Sequence, residues 1–385
     1  MPERSVAGNA RIMNWFLWWF CLRFYAATMV VYFAKVTGSL FLAASLLVVI
    51  QVAQAVLEVP TGLVSDRLGR VWCVRLQAVA SLSSVGCYAV GAGYGWLAVG
   101  AVFDGLWRAL MSGNNEALVY ESARENGQGG RFPHYLASMN VAMEAGGFIS
   151  MALGGLLAAI GFHWALWATM LMSLPALVAS LWLVEPARHE APRVVSAWGH
   201  FREAVGLMWR SHIIRRLSLA QILEDGCSTF ALWPALYQQF MPLGLVGAMY
   251  SVNFLESAVG FRASGWFLRR FKPGQIILGG ELYAKALFLP ALIFPSPITP
   301  ALMALAGASY GPMTVALGKV LHEEYTDHQR ATIGSITSFV GNCLYAVFTL
   351  GIGLAADRWG VGRAILLGQL CLLPRAWLYW RTRRL

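Results

Sequence analysis

Charge is what this sequence has least of. Asp, Glu, Lys and Arg together make up 12% of its 385 residues, about half the share usual in soluble domains. So little charge cannot clothe a water-facing surface, which excludes an ordinary soluble globule and points to lipid as the solvent. Cysteine is scarce too. The six copies, Cys21, Cys73, Cys87, Cys227, Cys343 and Cys371, all fall in apolar stretches, and no spacing matches a zinc site or a disulfide framework. They read as small buried packing residues. The seven histidines sit at the ends of apolar runs or between them, without a His-Glu-x-x-His cluster, which argues against an intramembrane enzyme. No Gly-x4-Gly-Lys-Ser/Thr loop is present, so ATP is not expected as a direct energy source. The opening Met-Pro-Glu-Arg leads into no short apolar run with a cleavage site, so no cleaved signal peptide is expected.

Apolar residues fill the space that charge leaves, at 58% of the chain with a mean hydropathy of +0.57. A membrane-crossing helix takes roughly 20 mostly apolar residues. Runs of that length recur at 12–34, 39–63, 71–91, 96–119, 134–158, 162–184, 213–238, 244–267, 275–294, 299–321, 331–356 and 362–380. They are continuously apolar, whereas barrel strands alternate over about 10 residues. The pattern predicts an all-α membrane protein of about twelve transmembrane helices. The net charge is +10, and its placement says more than its size. With the N-terminus in the cytoplasm, 21 of the 29 Lys and Arg residues fall on the cytoplasmic side and only Lys35, Arg358 and Arg363 outside. That bias is the orientation signal of a multi-pass protein, so both termini are expected in the cytoplasm and no nucleic-acid partner is expected. The longest connection, Glu185 to His212, holds Pro186, Pro192 and an amphipathic stretch from Trp198 to Trp209. It divides the chain into a six-helix bundle at 1–184, a cytoplasmic linker at 185–212 and a second six-helix bundle at 213–385. The second half carries no clear sequence copy of the first, so only the layout reads as duplicated.

Between the second and third spans the chain reads Glu58-Val-Pro-Thr-Gly62-Leu-Val-Ser-Asp66-Arg67-Leu-Gly69-Arg70. This resembles the cytoplasmic signature of the major facilitator superfamily, and its Glu-Val-Pro-Thr-Gly opening is similar to one bacterial branch. Ser112-Gly113-Asn-Asn-Glu116-Ala-Leu-Val-Tyr120-Glu121, closing the fourth span, resembles that branch as well, as does Arg330-Ala-Thr-Ile-Gly334-Ser335 opening the eleventh. The resemblance implies two six-helix halves around a central cavity and transport of a small solute by alternating access. It implies no cofactor, with a proton or other ion gradient as the energy source. It also implies a monomer in the bilayer of a bacterial inner membrane, and a conformational latch of Gly62, Asp66, Arg67, Gly69, Arg70 and Glu121. In that latch Gly62 and Gly69 allow close approach and a tight turn. Asp66 is expected to face a helix N-terminus near Thr332 to Ser335, and Arg70 to pair with Glu121 or Glu116. A second pair, Asp357-Arg358 ahead of Gly360, looks similar but falls on the outer side and reads as an ordinary loop.

A charge inside a bilayer costs about 2.5–3.5 kcal/mol on insertion scales and turns toward the bundle interior. Arg23, Asp104, Arg108, Glu144, Glu224, Asp225, Glu256, Glu281 and Lys285 all lie well inside spans. The resemblance places its cavity among the first, fourth, seventh and tenth helices, which implies Arg23, Arg108, Glu224 and Asp225 as lining. Asp104, four residues before Arg108 on one helix face, and Glu256 complete the candidates for holding substrate or proton. Glu281 and Lys285, also four apart, read as an internal structural pair. Tyr310-Gly311-Pro312 is expected to loosen the tenth helix. Sixteen Trp and 20 Phe can furnish an aromatic cavity, which favours efflux of an amphipathic small molecule. Two departures weaken an antiporter: Arg108 precedes Gly113 by five residues, where drug antiporters of the superfamily have four, and the fifth span has glycines at 146, 147, 154 and 155 but no Gly-Pro pair. An importer of a small metabolite, a lipid flippase of the same fold and a sensor that has lost transport are the alternatives.

Overall fold

The structure, a computed structural model, describes residues 6–187, 206, 211–324 and 327–382; within helices the side chains of Val59, Asp66, Phe254, Ser257, residues 322–324 and 327–332, and Ser335 lie outside that description. Most of the linker expected at 185–212 also lies outside it. Every regular element among the described residues is helical. A bilayer requires this, because hydrocarbon offers the backbone no hydrogen-bond partner. The first half carries α1 (Asn9–Phe20), α2 (Met29–Thr37), α3 (Leu40–Leu68), α4 (Arg70–Val90), α5 (Tyr94–Met111), α6 (Asn114–Glu125), α7 (Phe132–Ile160) and α8 (Phe162–Leu181). The second carries α9 (His212–Gly226), α10 (Trp233–Tyr237), α11 (Leu243–Arg270), α12 (Pro273–Ile293), α13 (Thr299–Ala306), α14 (Tyr310–Glu324), α15 (Asp327–Trp359), α16 (Val361–Cys371) and α17 (Leu373–Trp380).

Eight stretches among the described residues are long and apolar enough to cross a membrane, at 40–58, 70–90, 129–160, 162–181, 273–293, 299–321, 336–359 and 361–380. They fall on eight of the twelve expected spans. The eighth expected span is the single helix α11. The first, fourth and seventh are broken. The fourth was expected as one helix over 96–119 but ends at Met111, because Gly113 takes a left-handed φ of 68° and restarts the chain as α6. Three smaller corrections follow from the same geometry. Asp357 and Arg358 form the last turn of α15 and not a loop. Tyr310 to Pro312 lie inside α14, and the loosening falls just before them, in a 3-10 turn at Gly307–Ser309. Pro312 has no N–H to offer the carbonyl four residues earlier, that of Ala308. Of the cysteines, Cys343 and Cys371 are exposed and not buried.

The break in the first span shows how a spanning helix can open inside a membrane. Residues 21–25 leave the α-helix, and a 3-10 turn at Ala26–Thr28 leads into α2. Neighbouring helices satisfy the freed groups: the Phe24 N–H donates to Thr169 Oγ1 at 3.0 Å, and Ser150 Oγ donates to the Cys21 carbonyl at 3.3 Å. Gly146, Ser150 and Gly154 make a small-residue row on α7 against this break. A Cβ on Gly146 would stand 3.0 Å from the Trp18 carbonyl, and one on Gly154 would overlap the Phe24 carbonyl. The seventh span repeats the device. Its helix also ends at a cysteine, Cys227, and a 3-10 turn at Phe230–Leu232 precedes α10. Thr229 there fits against Gly368 of α16, and Asp225 against Gly341 of α15.

The chain forms two compact units, residues 1–190 with 242–251 and residues 191–241 with 252–385. The core of the first packs Met13, Phe16 and Phe20 of α1 on Val74 of α4, Trp107 and Leu110 of α5, Leu118 of α6 and Ala176 of α8. The core of the second packs Leu217 and Ala220 of α9 on Ile277 of α12, Ala316 and Val320 of α14 and Leu378 of α17.

The turn between α3 and α4 is tied down by a residue far along the chain. Glu185 accepts from the Arg70 N–H at 2.7 Å and the Val71 N–H at 2.8 Å, so its carboxylate caps the N-terminus of α4. Gly69, at φ 105°, makes room for it: a Cβ there would lie 2.6 Å from the Glu185 carboxyl. Glu185→Ala should cost about 1 kcal/mol, the usual worth of a cap. Gly69→Ala should cost more, since it adds backbone strain to a clash. In the Glu185→Ala background that excess should shrink to the strain alone. Thermal unfolding of the four proteins in detergent checks this; equal penalties for Gly69→Ala in both backgrounds would show that Glu185 does not occupy the hollow.

Candidate functional site

In the first unit the broken span, α4 and α5 bring polar groups together. Arg23 lies in the break itself. Its Nη2 donates to Ser81 Oγ at 2.9 Å and its Nε to the Phe20 carbonyl at 3.3 Å. Its guanidinium stands 3.6 Å from the centre of the Trp107 ring and 4.6 Å from that of Phe20. Arg108 approaches the same indole, at 4.8 Å. Two cations thus meet one indole ring, a placement whose value rises as water is excluded. Asp104 is fully buried and accepts from Arg108 Nε at 2.6 Å, one helical turn away. Its other oxygen takes the Tyr25 and Tyr88 hydroxyls at 3.4 and 3.3 Å. A buried carboxylate with one charged and two neutral donors meets the conditions under which such a charge is tolerated. The Arg108 side chain stays 37% exposed. Gln77 lies one turn before Ser81 on α4, is fully buried, and neither of its amide atoms has a hydrogen-bond partner among the described residues.

Of the sequence candidates, Arg23, Asp104 and Arg108 therefore come together. Tyr25, Gln77, Ser81, Tyr88 and Trp107 were missed. Their only advance signal is spacing, since Gln77, Ser81 and Tyr88 recur on one face of a 3.6-residue period.

In the second unit the acids separate. Glu224 accepts from Arg375 of α17, whose Nη1 also lies 3.3 Å from Glu281 Oε2 and whose Nη2 donates to the Tyr379 hydroxyl at 3.3 Å. Glu281 pairs with Lys285 at 3.8 Å, and Lys285 donates to Gln369 Oε1 at 2.8 Å. The expected Glu281–Lys285 pair is thus part of a longer chain linking α9, α12, α16 and α17. Asp225, next to Glu224, packs beside Gly341 instead. Glu256 is on α11, against the tenth-span turn at Gly307.

The signature between α3 and α4 is built into the first unit. Arg70 donates Nε and Nη2 to the two oxygens of Glu121 at 2.7 and 2.6 Å, a two-point contact that fixes geometry as well as charge. Ser65 donates to Asn114 Oδ1 at 2.9 Å, and Asn114 donates on to the Arg70 carbonyl at 3.1 Å. Nothing among the described residues lies within 4 Å of a Cβ placed on Gly62, so no close approach is made there. Arg67 is exposed near the end of α3. The side chain of Asp66 lies outside the described residues, as do those of Thr332 and Ser335.

Among solved structures the chain is similar to a variant of the nucleoside transporter NupG, with a TM-score of 0.80 and 12% identity over 98% of this chain and 100% of that one. A bacterial homologue of the iron transporter ferroportin gives a TM-score of 0.78 at 12% identity, covering 97% and 98% of the two chains. A D-xylose–proton symporter gives 0.70 at 14%, covering 98% and 97%. At such identities the likeness is one of fold. No curated protein matches the sequence. The profile described as Major Facilitator Superfamily matches residues 10–348, and with that match, on this all-helical membrane fold, the chain belongs to the major facilitator superfamily.

Proposed function

We propose that this transporter-family protein is a secondary active carrier working by alternating access, with Arg23, Asp104 and Arg108 at its solute site and an ion gradient as its energy source. The observation that supports this most is the Trp107 ring approached by two guanidinium groups beside the broken first span. Interrupted helices at corresponding positions of two halves are where carriers of this plan hold their solute. Arg108 reaches Asp104 through Nε alone, so its outer nitrogens can meet an acceptor on a solute. Trp107 and Phe20 back these cations from the buried core. The matching solute is a small amphipathic molecule with an anionic or hydrogen-bond-accepting group. Export is the proposed direction; import of a small metabolite and lipid flipping are the alternatives. The proposed setting is a bacterial inner membrane, as a monomer with both termini cytoplasmic. Reporter fusions at the two ends should both report the cytoplasm, and one outside would overturn the orientation.

Arg108→Ala removes the cation that Asp104 depends on, so it should lower the unfolding temperature along with flux. Arg108→Lys is the sharper test, because it keeps the charge and loses the planar fork. Flux of fluorescent amphipathic anions in proteoliposomes, with and without a pH gradient, should fall about tenfold, equivalent to about 1.4 kcal/mol, while stability stays near wild type. Wild-type flux from Arg108→Lys would show that the planar fork makes no contact with the solute.

Asp66 is proposed to govern conformational exchange and not solute affinity, since it lies in the signature loop and carriers of this kind bind at the midplane. Asp66→Asn removes a charge and keeps the shape. Net flux of the same probes should slow severalfold, with their affinity in detergent nearly unchanged. A parallel loss of affinity would place Asp66 in the binding site.

A further inference from the structure

Two arginines meet at one end of the second unit, where α17 closes the membrane-length stretch at 361–380. Arg216, near the start of α9, donates from Nη1 to the Arg381 carbonyl at 3.3 Å, and Arg381 directly follows α17. A cation on the carbonyl end of a helix is well placed, and the contact draws on one nitrogen of Arg216 alone. The Arg381 side chain turns back along its own helix. Its guanidinium stands 5.4 Å from the ring centre of Trp377 and 5.4 Å from that of Trp380, within the range of a cation–π contact. No acid among the described residues forms an ion pair with either arginine. Both stand on well-packed helix ends, because Leu217 of α9 and Leu378 and Tyr379 of α17 share one core with Ile276 and Ile277 of α12. Trp377 and Trp380 are 56% and 44% exposed. Exposed tryptophan at the end of a span belongs to the headgroup layer of a bilayer, with its ring at the acyl boundary. That puts the two arginines at the depth of lipid phosphates.

We propose that Arg216 and Arg381, backed by Trp377 and Trp380, bind the phosphodiester of an anionic phospholipid. Two positive charges without an acid call for an anion, and the headgroup layer supplies phosphate. The guanidinium fork matches two oxygens of one phosphate. The exposed indoles offer apolar surface to an acyl chain, which a soluble phosphate lacks, so the ligand is a lipid. A choline or ethanolamine headgroup would bring a further cation to the pair, so phosphatidylglycerol is preferred over phosphatidylcholine. The site stands apart from the solute reading and does not depend on it.

Full-length protein in detergent micelles doped with phosphatidylglycerol or phosphatidylcholine tests the proposal. The readouts are native mass spectrometry of retained lipid and thermal unfolding. Wild type should retain phosphatidylglycerol in preference and unfold at a higher temperature with it. The double variant Arg216→Gln/Arg381→Gln should bind phosphatidylglycerol about tenfold more weakly, since each cation at a headgroup contributes. Arg124→Gln/Arg131→Gln removes the same charge from the first unit and should leave that affinity unchanged. Arg381→Gln alone spares the Arg216 bond, which goes to the backbone. It should lose affinity while unfolding as wild type does in phosphatidylcholine, which separates binding from folding. Equal losses in the two double variants would reduce the effect to net charge and overturn the site. So would a wild type without preference for phosphatidylglycerol, or one that glycerol 3-phosphate stabilises as well as the lipid does.

Discussion

Hydrocarbon gives a polar group nothing to bind, and the interior of this protein is arranged around that constraint. Asp104 is tolerable at zero exposure because Arg108, Tyr25 and Tyr88 all turn toward it. Arg23 escapes the same penalty through Ser81, a backbone carbonyl and two aromatic faces. Glu281 is met by Lys285 and Arg375. Removing any one partner leaves a stranded charge, which is why such networks fail as units and not residue by residue.

The same constraint explains why helices open where they do. A gap in a spanning helix exposes N–H and C=O groups that only neighbouring protein can answer. In the first span Thr169 and Ser150 answer them, and Gly146 and Gly154 let those helices come near enough to do so. The seventh span ends at a cysteine and passes through a 3-10 turn in the same order. The two halves share this device without sharing a recognisable sequence, so the repetition lies in backbone geometry.

Spans were legible in the sequence because bilayer thickness translates directly into run length. The Asp104–Arg108 pair was legible because partners four apart on a helix meet whatever else the fold does. The Arg70–Glu121 contact was named as one of two choices from the family resemblance. What stayed hidden depended on which helix faces meet. Glu224 looked free to line a cavity until Arg375, 151 residues later, came beside it. Nothing in Cys21-Leu-Arg-Phe-Tyr25 announces a break, since the stretch contains neither proline nor glycine. Tyr88 and Ser81 look like ordinary span residues until the first span is laid across them.

The cap on α4 has a consequence for biosynthesis. Glu185 is 115 residues downstream of the Arg70 N–H that it receives. Ribosomes add about 5–20 residues per second, so α4 waits roughly 6–23 s after its own synthesis before its N-terminal amides can be met. During that interval the third to sixth spans emerge around an open helix end. The turn can therefore close only after α8, the last helix of the first half, has been made, which ties the α3–α4 turn to completion of that half.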